Sequence, residues 1–337
     1  MALRWKNFVP NTPLKSSEVN DLANNGCVQI DLETDLDDAS LVGANMAFSL
    51  DTFTLHTRIA AGVGADKWQK AGAGSLPPAI ATGGTETTIT DNGKTYRVVT
   101  FTANGTLTVT KDGLVDFLVV GGGGGGGGCQ NQGNRGAGGG GGGQVLAISP
   151  MFAKAGTYPI IVGAGGSRGL SQRPGMVLAG PGGLSSALGI TALGGGKGGH
   201  MDGAGPNNDG GSGANGGGGA DAIDGQGQAG PSIFPAGMGY AGSPSGSNLA
   251  GGGGGGATGD ATSAETSPGA NGGPGYSSTI TGTPVVYAAG GHGGAGPDGT
   301  GVQGVDGANG SGGGGGWRDG SNGGQGGAGV VIVRYEI

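Results

Sequence analysis

The stretch LVDFLVVGGGGGGGG, residues 114–128, sets the terms on which the rest of the chain is read. Six of its first seven residues are apolar, and most of those are β-branched or aromatic, the composition of a strand. The next eight are glycine, which has no side chain to bury and loses more backbone entropy on ordering than any other residue. A strand therefore runs, with no turn residue between, into a tract that can fold only through main-chain hydrogen bonds and the support of apolar strands beside it.

The whole chain divides along the same line. Of 91 glycines in 337 residues, 80 lie between positions 121 and 329, and the last eight residues, VVIVRYEI, contain none. Strands are expected at 95–101 and 106–110, as a hairpin about Asn104-Gly105, and at 114–120. Others are expected at 144–148, 158–162, 188–193, 284–288 and 330–337. Most of them frame the glycine block.

Within the block glycine recurs at every third position: 133 to 142, 210 to 219, 301 to 316 and 320 to 329. Three residues per turn is the repeat of the polyproline II helix, which makes no internal hydrogen bonds. Its bare donors and acceptors must then be met by neighbouring helices, which predicts a laterally bonded polyglycine II bundle within 121–329. At ~3.1 Å per residue, an unbroken 301–316 run would span roughly 50 Å. The other outcome for such composition is a flexible linker. Order is favoured by the strand-like segments that punctuate the block and by its direct return into a strand at Val330.

Residues 1–75 read as a separate small α+β module. Ser17 caps a short helix over 18–24, Thr34 and Asp37 form a capping box, and 45–50 with 53–59 make a hairpin about Asp51-Thr52. Residues 76–82 read as a linker and 83–337 as the glycine-rich domain. The net charge of −7, with 16 Lys and Arg that form no run, argues against nucleic acid as a partner. The N-terminus has no apolar signal-peptide core, and no apolar run approaches the ~20 residues of a membrane span. Cys27 and Cys129 are either two thiols or one long-range disulfide; neither a zinc site nor a redox motif is suggested.

Three strings together, DFLVVGGGGGGGG, GGGGGGQVLAISPMFAKAGTYPIIVGAGG and GGAGVVIVRY, resemble the glycine-rich domain of many phage tail fibres and minor tail proteins. A similar arrangement occurs in the extracellular region of the anaplastic lymphoma kinase receptor and in tail adhesins of T-even-type phages. The resemblance covers about 95–337. It implies a mainly β fold in which a β-sandwich base (95–120, 144–193, 284–288 and 330–337) clamps the polyglycine II bundle, with end loops that bind a host-surface receptor. The opening strings SSEVNDLANNG, GANMAFSLDTFTLHTR and KWQKAG are similar to the start of minor tail proteins from phages of actinobacteria. That similarity implies a tail-attachment role; the acidic insert DLETDLDD departs from the pattern. The implied protein is a homotrimeric virion component, made in the host cytoplasm and released by lysis.

Motifs for chemistry are weak. Residues 165–169 satisfy G-x-S-x-G around Ser167, with only His56, His200 and His292 as conceivable bases and no helix pattern following. G-x-G-x-x-G recurs as glycine abundance alone predicts, and Lys197 lacks the Ser or Thr of a P-loop. Residues 216–224 fit one calcium nonapeptide around Asp221, and 293–301 fit it loosely around Asp298, but tandem copies are missing. Asp31, Glu33, Asp35 and Asp37 mimic an EF-hand start without its glycine or final glutamate. No catalytic, cofactor or metal site is therefore expected, and the protein is read as a non-enzyme.

The bulky residues among the glycines are more telling. His200, Met201, Phe234, Met238, Tyr240, Tyr276, Trp317 and Arg318 have no place inside a glycine lattice, so they are expected on its skin or in its end loops. Aromatic and Arg side chains on rigid loops anchor binding surfaces. They are the candidates for contact with a host glycan or surface protein, Phe234 and Tyr240 first. Their other role would be to cover lattice edges or to pack between subunits.

Overall fold

The computed structural model describes residues 27–30, 46–49, 54–58, 68–71, 77–129, 135–171, 177–201, 206–221, 227–233, 240–243, 250–262, 269–294, 303–316 and 320–337. The chain forms two compact units, Met1–Pro77 and Pro78–Ile337. In the first, β1 (Cys27–Ile30), β2 (Met46–Ser49), β3 (Thr54–Arg58) and β4 (Trp68–Ala71) make one sheet in sequence order. β1 is parallel to β2, and β2, β3 and β4 form an antiparallel meander. The hairpin expected about Asp51-Thr52 is the β2–β3 pair, with Ser49 opposite Thr54. The two expected helices fall outside the described residues.

The second unit is mainly β. Its strands are β5 (Ile80–Thr82), β6 (Thr85–Asp91), β7 (Lys94–Phe101), β8 (Gly105–Lys111), β9 (Gly113–Val120), β10 (Val145–Ala153), β11 (Gly156–Ile160), β12 (Ser185–Ala187), β13 (Ile190–Ala192), β14 (Tyr276–Ser278), β15 (Val285–Tyr287) and β16 (Val330–Glu336). An antiparallel sheet, β10-β9-β16-β7-β6, packs on a smaller one, β11-β8-β5. Val99, Phe101, Phe117, Val119, Val331 and Val333 from the first meet Leu107, Val109 and Ile160 from the second. The opposite face of the large sheet, with Val98, Leu118, Val120 and Ile332, is covered by Ile280 and Tyr287. β9 and β16 are thus buried on both faces, which is why FLVV and VVIV read as continuous apolar runs. Asp116, which directly precedes the first run, meets Arg334 of β16 at 2.7 Å.

Several expectations are corrected. Asn104-Gly105 is not a hairpin turn: β7 and β8 belong to different sheets, so the chain crosses the sandwich there. The two-residue turn lies instead at Asn92-Gly93, between β6 and β7, where both residues have positive φ (49° and 76°) as a type I′ turn demands. β6 went unrecognised because its threonine-rich side chains are mostly exposed on a sheet edge. Residues 80–82, read as linker, form β5 and pair with β8. The strand expected at 188–193 is half of a β12–β13 hairpin that turns at Leu188-Gly189.

Beyond the base the glycine segments run extended and bond sideways with a strict repeat of three. Gly121, Gly124 and Gly127 donate to Gln144, Gly141 and Gly138; Gly122 and Gly125 donate to Gly183 and Gly180; Gly123, Gly126 and Cys129 donate to Gly327, Gly324 and Ser321. The same segment accepts from Gly195, Gly198 and Met201, from Gly166 and Gly169, and from Gly313 and Gly316. Residues 121–128 therefore lie at the centre of six bonded neighbours, and all eight are buried. Residues 136–144 are a second such centre, bonded to segments at 121–128, 193–199, 218–221, 252–255, 291–294 and 310–316. This is polyglycine II packing. The 50 Å run does not occur, because the chain reverses at Asn309-Gly310 (φ 49° and 77°) and folds 303–308 back along 311–316.

Candidate functional site

The lattice carries a simple rule for what reaches its surface. Where a segment is ringed by neighbours, glycine fills nearly every position, as in 121–128 and in 136–143, where Ala137 is the one side chain. Where one side faces solvent, every third position takes a side chain: Gln325 and Ala328 are exposed while Gly323, Gly324, Gly326, Gly327 and Gly329 are buried. Ser167 occupies such an outward position. Its carbonyl accepts from Gly180, and its segment continues extended to the Leu170–Val177 bridge rather than entering the turn and helix of a nucleophile elbow.

The expected surface placement of His200 and Met201 does not hold, since both are 1% exposed. They sit where 193–201 ends beside Gly128, at the end of the lattice away from the β-base. Met201 packs with Cys129, Ala137 and Ala220, and His200 Nδ1 accepts from the Gly128 amide at 3.1 Å. The Cys129 thiol is buried with its Sγ 3.2 Å from the carbonyl oxygens of Arg135 and Gly316. Asp221, the would-be calcium ligand, is buried against Arg135 Nη1 at 3.0 Å, so its charge is met by a guanidinium. Among the described residues no group of three or more His, Cys, Asp and Glu could hold a metal. Among the described residues, a small apolar cluster and the Arg135–Asp221 ion pair lie at this end.

Tyr276 is half-buried in β14, beside the cluster under Ile280 and Tyr287, and so covers the base. Tyr240 is half-buried, its amide donating to Asn215 Oδ1. Phe234, Met238, Trp317 and Arg318 lie outside the described residues, as do the acidic run 31–38 and Asp298. The structure does not bring the named candidates into one patch among the described residues.

Sequence reading passed over a groove of about 310 Å³ along the lattice flank, between segments 290–293 and 303–308, floored by 311–315. His292, Val305 and Asp306 at its margins are exposed, and Asp306 pairs with Arg168 at 3.2 Å. The signal for it was present: an all-glycine run next to Gln303-Gly-Val-Asp-Gly-Ala308, whose glycines only at 304 and 307 mark an edge segment. Burial pushes the Tyr287 phenol up, and the hydrogen bond and charge of Glu336 raise the Lys94 ammonium.

No curated protein sequence matches the chain. Residues 100–336 match the family model described as a glycine-rich domain, a span that takes in β8 to β16 and the whole lattice, and the chain therefore belongs to the glycine-rich domain family.

Proposed function

We propose that the protein is a non-enzymatic structural component of a bacteriophage tail tip or fibre that binds the host surface non-covalently during adsorption. Its N-terminal unit attaches to other tail proteins, three copies assemble as a homotrimer, and the glycine lattice presents its far-end connections to a host glycan or surface protein. The observation that supports this most is the lattice itself. Its core is main chain bonded in six directions, a stiff and chemically inert support whose sequence is free to vary only at outward positions and at the chain crossings. The likeness of both halves of the chain to tail proteins supplies the biological setting.

Immunogold labelling of purified virions tests the setting, and competition between the full-length protein and phage for adsorption tests the binding. Label at the tail with concentration-dependent competition is expected. Label at the tail without any cell binding would replace this proposal by the second one, a spacer that binds no receptor. That alternative draws on one observation: His200 and Met201, bulky residues suited to a contact surface, are spent on closing the lattice end.

A further inference from the structure

The segment 311–316 lies in a lattice whose inner members bond in six directions, yet it uses five. Its amides donate to Ala289 and His292, to Gly124 and Gly127, and to Val305. Its carbonyls accept from Ala137 and Gly140, and from Gly324 and Gly327. The carbonyls of Gly312 and Gly315, three residues and so about 9 Å apart along the axis, make no hydrogen bond among the described residues and line the groove floor. Among the described residues the His292 amide on one wall and the Val305 and Ala308 amides on the other have no hydrogen-bond partner, and all three residues line the same groove. The groove thus offers two acceptors below and donors from both sides, in the three-residue phase of the lattice.

We propose that this groove captures an extended Gly-Gly-Xaa strand of another polypeptide, which adds one more helix to the lattice. The captured strand would donate to Gly312 and Gly315 and accept from His292, Val305 and Ala308. Glycine is required at two positions of three, because a Cβ directed at the floor or a wall would enter the space of a neighbouring carbonyl. Xaa points to solvent. The chain's own residues 323–329, GGQGGAG, lie on the lattice in this manner, with Gln325 and Ala328 outward. The partner is defined by that repeat over about six residues, the length of 303–308, and the groove's chemistry is independent of any role in a phage tail.

The test uses the full chain and the peptide acetyl-(Gly-Gly-Asn)3-amide, read by amide hydrogen exchange at single residues. Exchange at His292, Val305 and Ala308 is expected to slow about tenfold or more with saturating peptide. A peptide with alanine for the first glycine of each triplet is expected to leave it unchanged. Val305→Pro keeps a backbone compatible with polyproline II but removes a donor and places a ring toward the groove, so peptide protection at His292 should be lost. No slowing at millimolar glycine peptide, equal slowing by the alanine peptide, or full protection in a folded Val305→Pro protein would each overturn the proposal. Should that variant fail to fold, the two-peptide comparison on the unaltered chain decides alone.

Discussion

A methyl group added at Gly126 would lie 2.0 Å from the carbonyl oxygen of Gly314 and 2.5 Å from its carbon. That neighbour cannot yield, since it is backbone whose amide and carbonyl are bonded to Val305 and Gly324. Gly126→Ala is therefore expected to destabilise by about 3 kcal/mol or more, the upper range for overpacked interiors. Lys197 takes the outward place in its triplet, so Lys197→Ala should change stability by less than about 0.5 kcal/mol. Urea denaturation of the two variants checks the contrast; equal effects would mean that glycine identity is not set by lattice contact. Tyr287 makes a pH prediction at the same scale. Its folded-state pKa is raised by burial above the ordinary 10.0, so the unfolded chain releases this proton first. The resulting stability is present below pH 10 and is lost as pH rises through the folded value. Tyr287→Phe should remove that part of the alkaline decline, visible in melting curves taken from pH 8 to 11.

At the scale of elements, three pairs of glycine segments keep the alignment of the strands they grow from. Val120 faces Val145, and Gly121, Gly124 and Gly127 follow on to Gln144, Gly141 and Gly138 without a slip. Val120 also faces Val330, and Gly123 and Gly126 follow on to Gly327 and Gly324. The β14–β15 hairpin, with Tyr276 opposite Tyr287, leads to Gly273–Gly290 and Ala270–Gly293 bonds in the same way. The physical reason is that bare glycine chains have nothing to specify register, whereas a strand with a buried face has it fixed by side chains. The two sheets of the base must accordingly be held together, and one tie is the Tyr335 hydroxyl, which donates to Ala81 O at 2.7 Å across the core. Tyr335→Phe should cost about 1 kcal/mol by removing this hydrogen bond from the core, measurable as a lower denaturation midpoint.

For the molecule as a whole, the lattice cannot carry its own stability. Ordering a residue costs about 1–2 kcal/mol, and a backbone hydrogen bond returns a net of about 0.5–1.5. The deficit is offset by the apolar base, with Phe117, Leu118, Leu107 and Ile332 almost fully buried in it. Base and lattice should then unfold together. Phe117→Ala, expected to cost about 3–5 kcal/mol, should raise amide exchange across 121–128 and 312–316 as much as in β9 itself. A lattice that kept its protection while β9 lost it would show that the glycine segments are stable alone.

Composition and period were enough to establish a mainly β protein with an ordered block of three-residue helices, because glycine spacing and apolar runs report directly on backbone packing. The strands β9 and β16 were legible for the same reason. What the sequence left open was most of the partner choices beyond the β2–β3 hairpin. Asn104-Gly105 and Asn92-Gly93 carry the same local turn signal, and only the closing of the sandwich decides which one joins paired strands. His200 and Met201 look like surface residues among glycines until three segments converge to bury them. The 303–308 pattern marks the groove's flank as an edge, but which carbonyls of 312–316 go unbonded does not show in a run of identical residues, since that depends on how many neighbours the fold places around it.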